Sequence, residues 1–226
     1  MHRFHGLYGV TDSQLQPDDR ILIETVEQAL MGGMKILQYR DKSLDNGKRL
    51  RQAGALKVLC HHYQAMLIIN DDIELAMDVE ADGVHLGQQD ENLASARERL
   101  GDYAMIGISC ENSLEKARAA VEQGANYIAF GKFFPSRTKP DAKNADLSIL
   151  SEARQMFDLP IVAIGGITME NASDVITAGA NMVAVVNNLF AAQNIRERSE
   201  SFMALFNDNS PEHNNSPEHN NSRKAV

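Results

Sequence analysis

Eight short apolar runs, rich in Val and Ile, alternate with segments of helical period along most of this 226-residue chain. The runs are LYGVTD (7–12), KILQYR (35–40), AMLIIN (65–70), DGVHLG (82–87), AMIGIS (104–109), NYIAFG (126–131), PIVAIGG (160–166) and NMVAVV (181–186). Nearly continuous apolar strands joined by helices predict a parallel sheet covered by helices. Eight such units fit a closed barrel better than an open sheet, so residues 1–206 are predicted to form a single (β/α)8 TIM barrel of the α/β class.

The ends of the predicted helices support this reading, and the pattern stops near Phe206. EQGAN (122–126) and TAGAN (177–181) each place a Gly after the last helical turn and before a predicted strand. Beyond the barrel, NSPEHN occurs twice in tandem, at 209–214 and 215–220. This polar repeat has no apolar residue to bury, so residues 207–226 are predicted to form a disordered tail.

Charge and composition disfavour several classes of protein. The formal net charge of −9 argues against nonspecific nucleic-acid binding, because phosphate neutralisation needs clustered Lys and Arg. Two cysteines, Cys60 and Cys110, make neither a disulfide framework nor a zinc set. No signal-peptide pattern and no stretch approaching ~20 apolar residues is found. We therefore expect a cytoplasmic protein that binds neither nucleic acid nor a membrane.

Polar and charged residues follow the predicted strands. In a (β/α)8 barrel the chemistry takes place at the C-terminal ends of the strands, so these residues are expected to share one mouth. They include several cations, two separated acidic positions and two Gly- or amide-rich loops. Metal-bridged phosphate binding has these requirements, because Lys and Arg bind phosphate oxygens and Mg²⁺ needs one or two carboxylates, with phosphates and water completing its shell.

Several of these residues also have a plainer interpretation. Asp71 or Asp72 could cap the helix that follows its strand, and Asp90 could cap the next one. Arg40 and Lys42 could be solvated charges in a loop. For either Asp71 or Asp72 taken alone, the capping role is the stronger hypothesis.

Two predicted loops differ in how strongly their sequences indicate a function. GGIT (165–168) could be a tight turn in which Thr168 caps the next helix. The loop from Gly131 to Ala145 is long for a β–α connection, and loops of this size are usually functional or disordered. Its basic residues, in an acidic protein, favour function.

Two further residues are assigned structural roles. His85 lies within the fourth predicted strand with no second His at metal-ligand spacing, so we expect it to line the barrel. Cys110 follows Ser109 and could be a nucleophile, but no partner base is evident, so a structural thiol is the better interpretation.

Seven stretches, in this order, resemble the thiamine phosphate synthase family, over about residues 7–206. They are LQYRDK (37–42), LIINDDIELA (67–76), ADGVHLGQQD (81–90), IGIS (106–109), YIAFGKFFPSRTK (127–139), IVAIGGITMENA (161–172) and GANMVAVVNNLF (179–190). The resemblance implies a (β/α)8 barrel enzyme that couples a hydroxymethylpyrimidine diphosphate to a thiazole phosphate, with release of pyrophosphate. It also implies one Mg²⁺ ion per subunit and two small phosphorylated substrates as partners, and leaves open whether the chain forms a homo-oligomer.

The resemblance carries residue roles to matching positions. Residues implied to bind the pyrimidine diphosphate are Gln38, Arg40, Lys42, Asn70, Ser109 and Lys139. Residues implied to bind the thiazole phosphate are Ser136, Thr138, Gly166, Val186 and Asn187. Asp71 and Asp90 are the implied Mg²⁺ ligands, and no separate catalytic residue is implied.

Three positions depart from the family pattern. Lys132 stands where Pro is usual, Ser136 where Thr is usual, and Asn187 where Ser is usual. Ser136 keeps a hydroxyl and Asn187 keeps a polar donor and acceptor but is larger. The thiazole-phosphate pocket is therefore the part of the assignment most open to revision.

Three other functions remain as alternatives. A thiazole tautomerase of related fold would not require the diphosphate and Mg²⁺ residues, so Lys42, Asn70, Asp71, Asp90 and Lys139 together favour the synthase. A phosphate-binding sensor barrel would not require the full catalytic set. Another phosphate-binding barrel enzyme of amino-acid biosynthesis, an isomerase, would need a paired acid and base across the mouth, and no such pair can be placed in the sequence.

Overall fold

A closed barrel of eight parallel strands forms the centre of the computed structural model, which describes residues 4–87, 93–135 and 144–208. The strands are β1 (Gly6–Val10), β2 (Ile36–Tyr39), β3 (Met66–Asn70), β4 (Gly83–Leu86), β5 (Met105–Glu111), β6 (Tyr127–Phe130), β7 (Ile161–Ile164) and β8 (Met182–Val185). Each pairs with its sequence neighbours, and β8 pairs with β1 to close the barrel. The predicted (β/α)8 TIM barrel is thereby confirmed.

The helices surround the barrel. They are α1 (Asp19–Met31), α2 (Asn46–His62), α3 (Ile73–Asp78), α4 (Leu93–Leu100), α5 (Leu114–Glu122), α6 (Ser148–Met156), α7 (Ala172–Thr177), α8 (Asn187–Phe190) and α9 (Ile195–Asp208). α9 ends two residues beyond the boundary predicted at 206. Of the tail predicted at 207–226, residues 207 and 208 therefore belong to this helix, and residues 209–226 lie outside the described part of the chain. Within the described part of the chain, no helix is long and apolar enough to cross a membrane.

Local sequence explains why several of these helices begin and end where they do. Asp18, Asp45, Asp72 and Ser113 each accept a hydrogen bond from a backbone N–H in the first turn of the helix that follows. This satisfies a donor that the helix itself leaves unpaired. Gly124 follows α5 with φ +89, a backbone conformation that Gly adopts without a Cβ penalty, as its position in the sequence predicted.

Two layers of apolar residues form the core. The larger lies between the strands and the helices, and the smaller fills the inside of the barrel. The inner layer takes alternate residues of the strands: Tyr8, Val10, Ile36, Met66, Ile68, Tyr127, Ala129, Val162, Met182 and Ala184. Side chains therefore fill the inside of the barrel, so a ligand can bind at its ends but cannot pass through it.

Candidate functional site at the C-terminal mouth of the barrel

The C-terminal ends of the strands bring together, at one mouth, most of the residues that the sequence singled out. The described ones are Gln38, Arg40 and Lys42 from β2 and its loop, Asn70 and Asp71 from β3, Ser109 from β5, Gly166 after β7, and Val186 and Asn187 after β8. Asp90, Ser136, Thr138 and Lys139 lie outside the described residues.

The end of β3 separates two adjacent carboxylates. Asn70 is the last residue of the strand and pairs with His85 of β4, and the backbone N–H of Asp71 donates to the His85 carbonyl at 2.9 Å. Asp71 then takes φ +63, in the left-handed region where Asp is tolerated better than most residues. This reversal sends the side chains of Asp71 and Asp72 to different places.

Asp71 accepts two short hydrogen bonds at the mouth. Its Oδ2 lies 2.5 Å from Lys42 Nζ and 2.5 Å from Asn70 Nδ2. The Lys42 side chain is 57% exposed and that of Asp71 is 25% exposed. Solvent weakens such an ion pair, so Lys42 can exchange Asp71 for another anion at little cost. Three residues predicted for diphosphate and metal binding therefore touch one another.

Asp72 serves the helix. Its Oδ1 accepts from the backbone N–H of Leu75, which makes it the N-cap of α3, and its Oδ2 accepts from Arg49 Nη2 at 2.6 Å. The capping interpretation is thus confirmed for Asp72, while Asp71 is turned toward the mouth.

Arg40 is held through its backbone. The Thr11 side chain accepts from the Arg40 N–H at 2.8 Å and donates to the Arg40 carbonyl at 3.2 Å. Thr11 is 2% exposed, so this contact between β1 and the end of β2 is sheltered from water. Among the residues that the structure describes, no carboxylate forms an ion pair with the Arg40 guanidinium. The cation is thereby left available to an anionic ligand.

Asp41, beside these cations, has a structural role. It accepts from Lys48 Nζ at 2.7 Å and from the Ser43 N–H at 2.7 Å. Burial would raise the pKa of Asp41, but the hydrogen bonds from Lys48 and Ser43 outweigh it and hold the pKa below its usual value. The buried pair fixes the loop that carries Lys42.

The turn after β7 and the loop after β6 pack against each other. Phe133 N–H donates to the Ile164 carbonyl at 3.3 Å, and Phe134 N–H donates to the Gly165 carbonyl at 3.0 Å. Gly166 has φ +67, and a Cβ there would lie 2.4 Å from the Pro135 carbonyl oxygen. Gly is required at this position both for its backbone conformation and for the close approach of the loop.

Two further observations define this side of the mouth. Ala145 N–H donates to the Lys132 carbonyl at 2.7 Å, which joins the two ends of the loop predicted to be functional. The possibility that Thr168 caps the next helix is wrong: Asn171 is the N-cap residue of α7 and its Oδ1 accepts from the Thr168 N–H at 2.8 Å. The side chain of Asn171 therefore closes the GGIT turn.

A divalent cation at this mouth would take few of its ligands from the described acidic residues. In residues 4–87, 93–135 and 144–208, no group of three His, Cys, Asp or Glu side chains could hold a metal. Mg²⁺ takes oxygen ligands and is commonly bound through one or two carboxylates plus substrate phosphates and water. The Asp71 carboxylate at the mouth fits that mode of binding.

Sequence reasoning missed two polar residues inside the barrel, Tyr8 and Tyr127, and the hydrogen bonds that connect them to Gln38 and His85. Tyr8, Gln38, His85 and Tyr127 come from four strands and form a chain of hydrogen bonds beneath the mouth. His85 also stacks on Tyr127, with ring centroids 5.6 Å apart, so its predicted position lining the barrel is confirmed. One feature of the sequence could have indicated these contacts: two strands that are otherwise apolar, β1 and β6, each carry a Tyr at a position that faces the inside of the barrel.

Both thiols are predicted to be unreactive in the native protein. Cys60 and Cys110 are 0% exposed, and burial raises the pKa of each to about 12. At pH 8 only about one thiol in 10⁴ is then ionised, and the thiolate is the reactive form. We expect a disulfide reagent such as DTNB to label neither Cys at pH 8 until denaturant is added. Rapid labelling of Cys110 in the folded protein would restore it as a candidate nucleophile.

Comparisons with known proteins show the family to which this chain belongs. A family profile described as thiamine monophosphate synthase matches residues 7–189. A thiamine-phosphate synthase of Saccharophagus degradans is 52% identical over 204 residues, covering 90% of this chain and 94% of the relative. One of Nitrosococcus oceani is 51% identical over 201 residues, covering 89% and 92%. The solved structure of a thiamine phosphate pyrophosphorylase from Pyrococcus furiosus superposes with a TM-score of 0.83 at 32% identity, covering 91% of this chain and 98% of that one.

Proposed function

Since the chain belongs to the thiamine monophosphate synthase family and is therefore a transferase, we propose that it couples 4-amino-2-methyl-5-hydroxymethylpyrimidine diphosphate with 4-methyl-5-(2-hydroxyethyl)thiazole phosphate. The products are thiamine phosphate and pyrophosphate. The observation that carries the proposal is the contact of Lys42 and Asn70 with the Asp71 carboxylate at the C-terminal mouth. A cation, an amide and a carboxylate in contact are what a diphosphate bridged to a metal requires.

The reaction is a dissociative substitution at the pyrimidine methylene carbon. The bond from this carbon to the diphosphate oxygen breaks, and its electron pair leaves with pyrophosphate. The resulting cation is delocalised over the aminopyrimidine ring, and the thiazole nitrogen then attacks it with its lone pair to form the new C–N bond. Such a route needs little acid–base chemistry. It needs neutralisation of the leaving group and two substrates held in register.

The residues of the mouth divide these tasks. Arg40 and Lys42 bind the diphosphate oxygens, and Lys42 exchanges Asp71 for the substrate as it does so. Asn70 and Ser109 contact the same substrate, and Lys139 adds a further cation on the diphosphate.

Two acidic residues are assigned to the metal, and residues after β7 and β8 are assigned to the second substrate. Asp71 and Asp90 would hold Mg²⁺, which supplies neutralisation of charge on the pyrophosphate. After β7 and β8, Gly166, Val186 and Asn187 receive the thiazole phosphate. Ser136 and Thr138, which lie outside the described residues, are assigned to the same substrate. The backbone N–H groups of a Gly-rich turn are suitable donors to a phosphate.

Purified protein mixed with both substrates and Mg²⁺ tests the proposal. We expect pyrophosphate and thiamine phosphate in equal amounts, and strong loss of both when Mg²⁺ is chelated. Omission of either substrate should abolish the second product. If neither product forms, the synthase function is rejected, and isomerisation of the thiazole phosphate alone would then identify a tautomerase.

A further inference from the structure

A chain of hydrogen bonds runs across the inside of the barrel, directly beneath the mouth. Gln38 Nε2 donates to the Tyr8 hydroxyl at 2.9 Å. The Tyr8 and Tyr127 hydroxyls lie 3.0 Å apart, and the Tyr127 hydroxyl lies 3.1 Å from His85 Nδ1. The proposed reaction assigns a task to Gln38 but none to the two tyrosines.

The protons in this chain can be ordered from the number of donors. Tyr8 accepts from Gln38, so its single proton must find another acceptor, and the Tyr127 oxygen lies within reach. Tyr127 is then left to donate its own proton to His85 Nδ1, in the tautomer that leaves this nitrogen unprotonated. With Gln38 Nε2 as the donor to Tyr8, the opposite order would leave the Tyr8 proton buried without an acceptor. For this orientation of the amide, every proton has an acceptor only when the chain runs from Gln38 to His85.

The two phenols are held rigidly and stay protonated. Tyr8 is 1% exposed and Tyr127 is 0% exposed. Burial raises the pKa of Tyr8 to about 12 and that of Tyr127 well above its ordinary value. The Tyr127 ring occupies the space that a side chain on Gly107 would take, since a Cβ there would lie 1.9 Å from the ring Cζ. The Tyr127 ring is therefore packed closely against the backbone at Gly107.

The other end of the Gln38 amide faces the site. Within the described residues, the buried polar side-chain atoms that lack a partner are Ser43 Oγ and Arg49 Nε. Gln38 Oε1 is not among them, and no described donor bonds to it, so this oxygen is open to the mouth. Rotating the amide by 180° and reversing each hydrogen bond would instead turn its N–H₂ group to the mouth, and that arrangement would favour a carbonyl oxygen over an amino group, so the substrate preference distinguishes the two orientations.

We infer that Tyr8 and Tyr127 are positioning residues that hold Gln38 Oε1 toward the mouth and so select a pyrimidine with an exocyclic amino group over one with a carbonyl oxygen. The inference rests on the proposed function. An amino group donates to the fixed Oε1, whereas a carbonyl would place two acceptors in contact. A site that fixes its hydrogen-bonding group in this way rejects the wrong partner strongly.

The test compares two substrates in the wild type and in four variants. The aminopyrimidine diphosphate and its 4-oxo counterpart are each supplied with thiazole phosphate and Mg²⁺, and kcat and KM are measured from pyrophosphate release. Tyr8→Phe and Tyr127→Phe are expected to lower the preference for the amino substrate, as the ratio of kcat/KM values, about tenfold and chiefly through KM. Adding Tyr8→Phe to a Gln38→Met variant, which lacks the amide, should change the preference no further.

Tyr39→Phe is the matched control. Tyr39 is 2% exposed and donates to Gln52 Oε1 at 2.8 Å, so its substitution also removes one buried hydroxyl hydrogen bond. It faces α2, outside the barrel, and should leave the preference unchanged while lowering the melting temperature by a similar amount.

The outcomes separate the inference from the proposed function. An active wild-type protein whose preference is unchanged in both Tyr8→Phe and Tyr127→Phe overturns the inference alone. An equal fall in preference in Tyr39→Phe also overturns it, because the effect would then be a general loss of stability. A wild-type protein that forms no product overturns the proposed function and the inference with it. If one tyrosine variant does not fold, as judged by thermal melting, the other decides.

Discussion

Replacing Asp71 with Asn is expected to lower the rate of thiamine phosphate formation by at least about 100-fold and to leave the fold intact. Asn is nearly the same size as Asp and tolerates the left-handed backbone at φ +63, so the local structure should survive. What is lost is the negative charge that Lys42 contacts and that is proposed to hold Mg²⁺. The rate at saturating substrate, measured over a range of Mg²⁺ concentrations, should show a raised Mg²⁺ requirement.

Asp72→Asn provides the matched control for this change. The substitution removes one negative charge at the next residue, and Asn caps a helix about as well as Asp. It weakens the contact with Arg49, which is partly exposed, so stability should fall modestly while the rate stays near that of the wild type. Equal losses of rate in the two variants, or full activity of Asp71→Asn at limiting Mg²⁺, would contradict the separate assignment of the two carboxylates.

Replacing Gly166 with Ala is expected to raise the KM for thiazole phosphate at least about tenfold, and to lower stability. An Ala at φ +67 pays a backbone cost, and its Cβ would lie 2.4 Å from the Pro135 carbonyl oxygen and 2.7 Å from that of Phe134. Backbone atoms cannot rotate away as a side chain can, so the loop after β6 has to shift. The KM for the pyrimidine diphosphate should change less, since two of its three proposed cations, Arg40 and Lys42, follow β2 and do not belong to the loop that shifts.

Gly124→Ala isolates the effect of the close approach. Gly124 also has a positive φ, +89, but among the described residues other than its chain neighbours no atom lies within 4 Å of the position that a Cβ would take. This variant should therefore show the backbone cost in its urea unfolding curve while both KM values remain unchanged. If Gly166→Ala resembles Gly124→Ala in kinetics as well as in stability, the turn after β7 is not part of the thiazole-phosphate site.

The barrel and its mouth could be predicted from the sequence because both follow from local patterns. Apolar runs such as MLIIN and IVAI specify buried strands, their alternation with helices specifies a parallel sheet, and polar residues after the strands must then meet at one end. Asp72 could likewise be recognised as a possible cap from its position before a helix. None of these inferences requires knowing which residues that are far apart in the sequence are in contact in the fold.

Only the tertiary structure shows which contacts these residues make, both between adjacent residues and between residues far apart in the sequence. Asp71 and Asp72 are equivalent in a sequence, and the left-handed backbone at Asp71 sends one carboxylate to Lys42 and the other to Arg49. Tyr8 and Tyr127 are 119 positions apart and touch only because the barrel closes. Hydrogen bonds between distant side chains depend on closure, strand register and inward alternation together, and no local pattern in the chain encodes that combination.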